Sequence, residues 1–217
     1  MKSKRLKGLF IPGYACTSQI WQSIHKEQDS ICEATYVDWP TQMTPNFHHV
    51  DDFANWLHGS MEIEKYSFIV GHSLGGLVAF RLAEIVKRVD PIIILIETFL
   101  APGAPFFQNL LFNDATSAHT QVIPKMLNLE KVHYSPFLRE RLRHVDIRKS
   151  VIEQKKQLYA FYGDRGCGSP DRVLNELQWS DDLKAYIEVT VIPDACHFPM
   201  AENPRATLKG LKSILYS

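Results

Sequence analysis

The stretch FIVGHSLGGLVAF, residues 68–80, constrains the fold more than any other part of the sequence. Glycine disfavours both strands and helices because it loses more backbone freedom on folding than other residues. Even so, three glycines stand at positions 71, 75 and 76, between two apolar runs. The first run has the length of a strand, and the second continues with the spacing of a helix. This pattern predicts a tight strand-to-helix turn with Ser73 at its tip.

Apolar runs of strand length alternate with helical patterns along the chain. The predicted strands are Leu6–Ile11, Ala34–Val37, Tyr66–Val70, Ile92–Ile96, Leu158–Tyr162 and Tyr186–Ile192. The predicted helices are Ser18–Gln28, Val50–Leu57, Leu74–Val89 and Thr207–Tyr216. Strands that are apolar throughout and alternate with helices indicate a sheet buried on both faces. We therefore expect an α/β fold with a mostly parallel sheet of about six strands, flanked by helices.

Residues 98–155 interrupt this alternation because they contain no convincing strand. A structureless loop of that length is uncommon in a compact domain. We therefore predict a small helical lid, inserted into a core made of residues 1–97 and 156–217. Its apolar side chains could line an acyl pocket or simply pack against the core. They are Phe99, Leu100, Phe106, Phe107, Leu110 and Phe112, with Phe106 and Phe107 as the preferred substrate-binding residues.

The glycines around Ser73 form the pattern G-x-S-x-G between a predicted strand and a predicted helix, which is the context of a nucleophile elbow. A serine hydroxyl needs an adjacent base to become a good nucleophile. His197 follows the last predicted strand and precedes the last helix, so the order along the chain is serine first and histidine last. The alternative is that Ser73 only caps its helix and that His197 is a solvated loop residue.

Nearly the whole chain resembles the α/β-hydrolase family, in particular its compact esterases and thioesterases. Besides the elbow, the resemblance rests on Ile11-Pro12-Gly13-Tyr14, Val37-Asp38-Trp39-Pro40, Ala195-Cys196-His197-Phe198-Pro199-Met200 and Glu202-Asn203-Pro204. Pro12 stands where the family usually has a histidine. The resemblance implies an oxyanion hole formed by the backbone N–H groups of Tyr14 and Leu74. It implies no metal and no organic cofactor.

The acid of the catalytic triad is the ambiguous member. By the resemblance it should lie three residues past a glycine after the penultimate strand, where this chain has Gly166. Asp164 comes two residues earlier and is the preferred candidate. Glu97, at the end of the fourth strand, is the alternative, since some relatives carry their acid there, and Asp171 is a more distant option. The acid would hold the tautomer of the imidazole and stabilise the imidazolium.

These residues predict a serine hydrolase that cleaves a carboxylic ester or thioester through an acyl-enzyme. Ser73 is the nucleophile and His197 the base. The same scaffold also supports lyases and perhydrolases, so the fold alone does not decide the chemistry. A non-catalytic descendant that binds a small ligand is a further alternative.

Charge and cysteine content bear on partners and location. Lys and Arg together number 24, as do Asp and Glu, which argues against nucleic acid as a partner. No apolar run has the length of a membrane span. The four scattered cysteines, without C-x-x-C spacing, indicate reduced thiols in the cytoplasm. The pair His48-His49 has no further ligands at metal-binding spacing.

The expected partner is a small-molecule acyl ester or thioester. Arg139 and Arg143 share a face of a helical pattern and could contact an anionic head group or an acyl-carrier protein. The second option follows from a distant similarity to methyl ester esterases that act on pimeloyl groups held by a carrier protein. A solvated helix face is the alternative.

Overall fold

Six parallel strands form a single sheet in the computed structural model, which describes residues 5–28, 31–86, 90–111 and 118–216. The strands are β1 (Lys7–Ile11), β2 (Glu33–Tyr36), β3 (Phe68–His72), β4 (Ile92–Ile96), β5 (Leu158–Gly163) and β6 (Ile187–Ile192). Their order is β2-β1-β3-β4-β5-β6, and every neighbouring pair is parallel. The predicted α/β class is confirmed.

Helices cover both faces of the sheet. They are α1 (Gln22–Gln28), α2 (Val50–Ser60), α3 (Leu74–Ile85), α4 (Ala118–Glu130), α5 (Pro136–Leu142), α6 (Arg148–Gln154), α7 (Pro170–Leu177), α8 (Asp181–Lys184), α9 (Pro199–Glu202) and α10 (Pro204–Leu215). The core on one face includes buried side chains of α2, α3, α7 and α8. The core on the other includes those of α1, α9 and α10.

The central strands are apolar throughout because both of their faces are covered. Successive side chains of a strand point to opposite faces of the sheet. In β4, Ile93 and Leu95 belong to one core, whereas Ile94 and Ile96 belong to the other. The continuous apolar runs in the sequence therefore reflect two cores that share one sheet.

Residues 98–155 connect β4 to β5 and are called the helical insertion below. The described part of this segment holds α4, α5, α6 and the short 3-10 turns Pro105–Phe107 and Lys131–His133, with no strand. His48 Nδ1 lies 2.8 Å from Ser135 Oγ, and His49 Nδ1 lies 2.8 Å from an Arg141 nitrogen. The two adjacent histidines thus contact the insertion. Its role as a lid separate from the core remains a prediction.

Two predicted features extend beyond the described residues. The third helix was expected to continue to Val89, but α3 ends at Ile85, and residues 87–89 lie outside the described part. Phe112 lies outside it as well.

The turn from β3 into α3 is packed against neighbouring backbone. A β-carbon on Gly75 would overlap the carbonyl oxygens of Ile11 and Pro12, which lie at and just after the end of β1. A β-carbon on Gly71 would in turn overlap the backbone of Gly75 and Gly76. The absence of side chains therefore lets the loop after β1 lie directly against the start of α3.

We predict that Gly75→Ala lowers the free energy of unfolding by about 1–3 kcal/mol or more, because the added methyl group meets backbone atoms that cannot rotate away. The matched control is Gly59→Ala, also within a helix, where no described atom outside the adjacent helix backbone lies within 4 Å of the position that the added β-carbon would take. The control should raise the free energy of unfolding by about 0.5–1 kcal/mol. Urea denaturation measures both, and equal effects of the two substitutions would contradict the packing argument.

Candidate active site

Ser73 stands at the tip of the turn between β3 and α3. Its backbone has φ 52° and ψ −118°, a strained conformation for a residue other than glycine. The N–H group of Ser73 donates a hydrogen bond to the carbonyl of Ile96, at the end of β4 (2.9 Å). A β-carbon on Gly13 would lie 3.1 Å from that of Ser73, so the loop after β1 reaches the elbow itself.

Ser73 and His197 line the same cavity, which has a volume of about 390 Å³. Tyr14 lines it from the loop after β1, and the helical insertion contributes Leu110 and Leu127. Within the described part of the chain, the Ser73 hydroxyl and the His197 ring make no direct hydrogen bond. Catalytic hydrogen bonds often tighten only when the reacting complex forms. The fold therefore brings the two residues to one cavity without joining them.

The backbone of the His197 loop is held on both sides of the histidine. The N–H groups of Cys196 and Phe198 both donate to one carboxylate oxygen of Glu202, at 2.9 and 3.1 Å. The carbonyl of His197 lies 2.7 Å from Nε2 of His72. These contacts fix the position from which the imidazole of His197 projects.

His72 is fully buried beside the site. Burial lowers its pKa well below the ordinary value, and the charge of His197 acts in the same direction. The ring is therefore neutral, with the proton on Nε2, where it donates to the carbonyl of His197. Its Nδ1 atom has no hydrogen-bond partner in the described structure. His72 thus serves to position the loop of His197.

Glu97 is the carboxylate that contacts the histidine. It directly follows β4, is completely buried, and has a positive φ of 50°. The guanidinium of Arg165 donates to both of its oxygens, at 2.6 and 2.5 Å, and the N–H of Gly163 donates at 2.6 Å. Nδ1 of His197 lies 3.4 Å from Glu97 Oε2. One side chain thus joins the ends of β4 and β5 to the histidine loop.

The charge of Glu97 is compensated inside the protein. Burial alone would raise the pKa of the Glu97 carboxyl. The hydrogen bonds and charge of Arg165, with a contribution from His197, outweigh burial and lower the pKa below its usual value. Arg165 is itself almost inaccessible to solvent, with 4% of its side chain exposed. The result is a buried, ionised carboxylate next to the imidazole.

Asp164, the preferred acid from the sequence, is occupied elsewhere. Its oxygens accept hydrogen bonds from the backbone N–H groups of Gly166, Gly168 and Asp194, at 2.8, 3.3 and 2.8 Å. It makes no hydrogen bond to His197 within the described structure. The geometry therefore favours Glu97 over Asp164, and it shows Asp164 as the residue that orders its own loop. Asp171 lies in the first turn of α7 and is exposed.

The two expected oxyanion donors lie on adjoining turns. Tyr14 follows β1, and Leu74 is the first residue of α3. Neither backbone N–H donates a hydrogen bond within the described part of the chain. Nε1 of Trp39 donates to the carbonyl of Gly13 at 3.3 Å and so fixes the loop just before Tyr14.

Phe106 and Phe107 do not line the cavity of Ser73. The ring of Phe107 lies 4.7 Å from the guanidinium carbon of Arg165, and that of Phe106 lies 5.3 Å from that of Arg172. Aromatic faces attract cations, which accounts for both positions. Phe107 is therefore part of the packing around the Glu97–Arg165 pair. The expectation that these two residues contact substrate does not fit this geometry.

The described residues show neither a metal-binding cluster nor a membrane-spanning helix. These contain no group of three or more His, Cys, Asp or Glu side chains arranged to hold a metal ion. None of the described helices has the length and apolar character needed to cross a membrane.

Comparison with known proteins agrees with this architecture. A family model described as the alpha/beta hydrolase family matches residues 9–209. No curated protein sequence matches the chain closely enough to count as a relative.

Several solved structures are similar to this chain. One is a membrane phospholipase A described as a bacterial virulence factor (TM-score 0.73, 13% identity, covering 99% of this chain and 79% of that one). Another is an esterase from Exiguobacterium antarcticum (TM-score 0.71, 12% identity, 98% and 92%). A third is MenH from S. aureus (TM-score 0.68, 14% identity, 100% and 97%). At these identities the likeness shows the fold alone.

We predict that Arg165→Met destabilises the protein by about 3–5 kcal/mol near neutral pH, because it leaves the Glu97 carboxylate buried without its main partner. In the wild type, the lowered pKa of Glu97 contributes stability above the unfolded pKa of about 4.3, and this is lost as pH falls through the folded pKa. In the variant, burial raises the pKa of the Glu97 carboxyl, and protonation then removes the cost of burying its charge. The difference in unfolding free energy between the wild type and the variant should therefore narrow as the pH falls from about 7 to about 4.

Urea denaturation across this pH range measures the difference in unfolding free energy. Arg148→Met is the control, because Arg148 pairs with Asp146 at the surface. Loss of that exposed pair should cost less than about 1 kcal/mol. A difference for Arg165→Met that stays constant or widens toward acid pH would contradict the role given to Glu97.

Proposed function

The chain belongs to the alpha/beta hydrolase family, and we propose that it is a serine hydrolase that cleaves a small carboxylic ester or thioester through an acyl-enzyme. Ser73 is the nucleophile, His197 the general base and Glu97 the acid that orients the imidazole. The observation that carries the proposal is the placement of Ser73, on a strained turn, in one cavity with a histidine whose Nδ1 faces a buried carboxylate.

The mechanism follows from which nitrogen of His197 faces the acid. With the proton on Nδ1 directed at Glu97, Nε2 is left to accept the proton of the Ser73 hydroxyl. The serine oxygen then attacks the carbonyl carbon, and the oxyanion is held by the N–H groups of Tyr14 and Leu74. His197 passes the proton to the departing alcohol or thiol, which leaves an acyl-enzyme.

Water completes the reaction. His197 removes a proton from a water molecule as the water attacks the acyl carbonyl, and it returns that proton to the Ser73 oxygen when the tetrahedral intermediate collapses. The products are a carboxylic acid and the free serine. Each proton moves between Ser73, His197, the leaving group and water, so the scheme needs no cofactor.

One observation favours a second candidate, a non-catalytic protein that binds a small ligand in the same cavity. It is the lack of a direct hydrogen bond between Ser73 and His197 in the described structure. Such a protein would keep the cavity but would not activate its serine.

The cytoplasmic location and an acyl-carrier protein as partner remain predictions.

A fluorophosphonate probe distinguishes the two candidates, because it reacts covalently only with an activated serine. We predict that the wild type is labelled and hydrolyses p-nitrophenyl butyrate, and that Ser73→Ala loses both properties. Ser60→Ala, a substitution of an exposed serine at the end of α2, should keep both. An unlabelled wild type that binds small esters would support the ligand-binding candidate instead.

The identity of the acid is tested by two substitutions that remove charge but keep shape. We predict that Glu97→Gln lowers kcat about 10³- to 10⁴-fold, since the imidazole then loses the acceptor that holds its tautomer. Asp164→Asn should change kcat less than about tenfold, because the partners of Asp164 among the described residues are backbone N–H groups of loops.

Circular dichroism must show both variants folded at the assay temperature, because Glu97→Gln also weakens the contact with Arg165. Steady-state kinetics with p-nitrophenyl butyrate supply the comparison. A large loss in Asp164→Asn together with a small one in Glu97→Gln would restore Asp164 as the acid.

A further inference from the structure

The cavity of Ser73 is lined by two cations from the helical insertion. Lys131 follows α4, and Arg139 lies in α5. No acidic side chain of the described residues lines this cavity. A cavity with two positive charges, and no negative one among its described lining, attracts anions.

Arg139 and Arg143 differ in their partners, although they lie one helical turn apart. Arg143 pairs with Glu140 at 3.4 Å, on the exposed surface of the insertion. Arg139 makes no hydrogen bond or ion pair to any residue that the structure describes. Arg139 and Arg143 were expected to share one basic face, but of these two only Arg139 lines the cavity.

The positive charge of Arg139 acts on Tyr14, which lines the same cavity and is one of the two expected oxyanion donors. Burial raises the pKa of the Tyr14 hydroxyl, and the positive charge of Arg139 partly offsets this. Lys131 contacts a neutral group, since its Nζ atom donates to Oδ1 of Asn128 at 2.9 Å. Both cations therefore remain without a carboxylate partner among the described residues.

Glu130 is the acidic residue closest in sequence to Lys131. Its charge raises the pKa of Tyr134 and of Cys16, so it acts on the same region, yet it does not line the cavity. Glu130 therefore reduces the positive potential of the cavity, but its carboxylate does not fill the space in which a bound anion would lie.

We propose that Lys131 and Arg139 bind an anionic group, a carboxylate or a phosphate, carried by the ester or thioester that Ser73 attacks. This inference rests on the proposed function. A guanidinium presents paired N–H donors that match the two oxygens of such a group, and the ammonium of Lys131 adds a point charge. The anion can lie on the acyl side or on the leaving group, and the experiment separates the two.

The size of the cavity limits what accompanies the anion. At about 390 Å³ it lies toward the small end of ligand sites, which span roughly 300–1,000 Å³. A short acyl chain with a charged end therefore suits it better than a long fatty chain.

The test compares substrates that differ only in charge. For the acyl side these are mono-p-nitrophenyl glutarate and its methyl ester, in which the carboxylate is masked. For the leaving group they are S-butyryl phosphopantetheine and S-butyryl pantetheine. We expect kcat/KM to favour the anionic member of at least one pair by about tenfold, and we expect the preference to weaken as salt rises from about 50 to 500 mM.

The double variant Lys131→Gln/Arg139→Gln should bring the preference close to one, whereas the control Arg143→Gln should keep the wild-type ratio. The proposal would be overturned if the wild type gave a kcat/KM ratio, anionic over neutral substrate, of one or less in both pairs. An unchanged ratio in the double variant would overturn it as well.

A binding measurement keeps this inference separate from the proposed function. If the wild type hydrolyses no ester and resists the fluorophosphonate, the hydrolase proposal fails. Calorimetric titration with monomethyl glutarate and with phosphopantetheine then tests the anion site directly. Binding of either probe that weakens at least tenfold in the double variant supports the site, and absence of binding to the wild type refutes it.

Discussion

The buried carboxylate of Glu97 is the point on which the candidate site depends. A carboxylate removed from water is costly unless charge and hydrogen bonds replace the lost solvation. Here the replacement comes from Arg165 and the N–H of Gly163, at the end of β5, and from the ring of His197 in the loop after β6. The cost of burying this charge thus favours the one arrangement in which the ends of β4 and β5 and the histidine loop meet.

The same ion pair adjusts the electrostatics around the imidazole. Glu97 gives its closest contacts to Arg165, at 2.5 and 2.6 Å, and a longer one to His197, at 3.4 Å. A carboxylate that is already paired with a guanidinium attracts a second cation less strongly. In the proposed mechanism, the pair with Arg165 holds the Glu97 carboxylate in place opposite Nδ1 of His197. It also gives Phe107 a structural function, since its ring covers the other side of the guanidinium.

Much of the fold could be predicted from the sequence because its signals are local. Runs such as Ile92–Ile96 are apolar on both faces only if helices cover both sides, and the glycines around Ser73 indicate a turn too tight for side chains. The position of His197 followed from its place after the last strand. The parallel sheet then brings these separate strand ends to one edge.

The acid and the pocket depended on contacts between distant segments, and the sequence does not encode these locally. Asp164 and Glu97 each follow a strand. Only the structure shows that the carboxylate of Asp164 already accepts hydrogen bonds from backbone N–H groups of loops. The partner of Glu97, Arg165, was missed. A signal existed, because a glutamate directly after a run of five aliphatic residues, Ile92–Ile96, must find a cation or lose its charge. Phe106 and Phe107 were ambiguous for another reason, since an aromatic ring can pack on a cation as readily as on an acyl chain.

The close approach of Gly163 to the histidine loop has a consequence for how the cavity can adapt. A β-carbon on Gly163 would overlap the carbonyls of Ala195 and Cys196, so the two backbones lie in direct contact. Glu202 anchors the same loop from the other side. The wall that carries the imidazole is therefore rigid, and molecules of different shape must be accommodated by shifts in the wall that the helical insertion supplies. Diversification among descendants of this chain should accordingly concentrate in the helical insertion, while the wall around His197 stays unchanged.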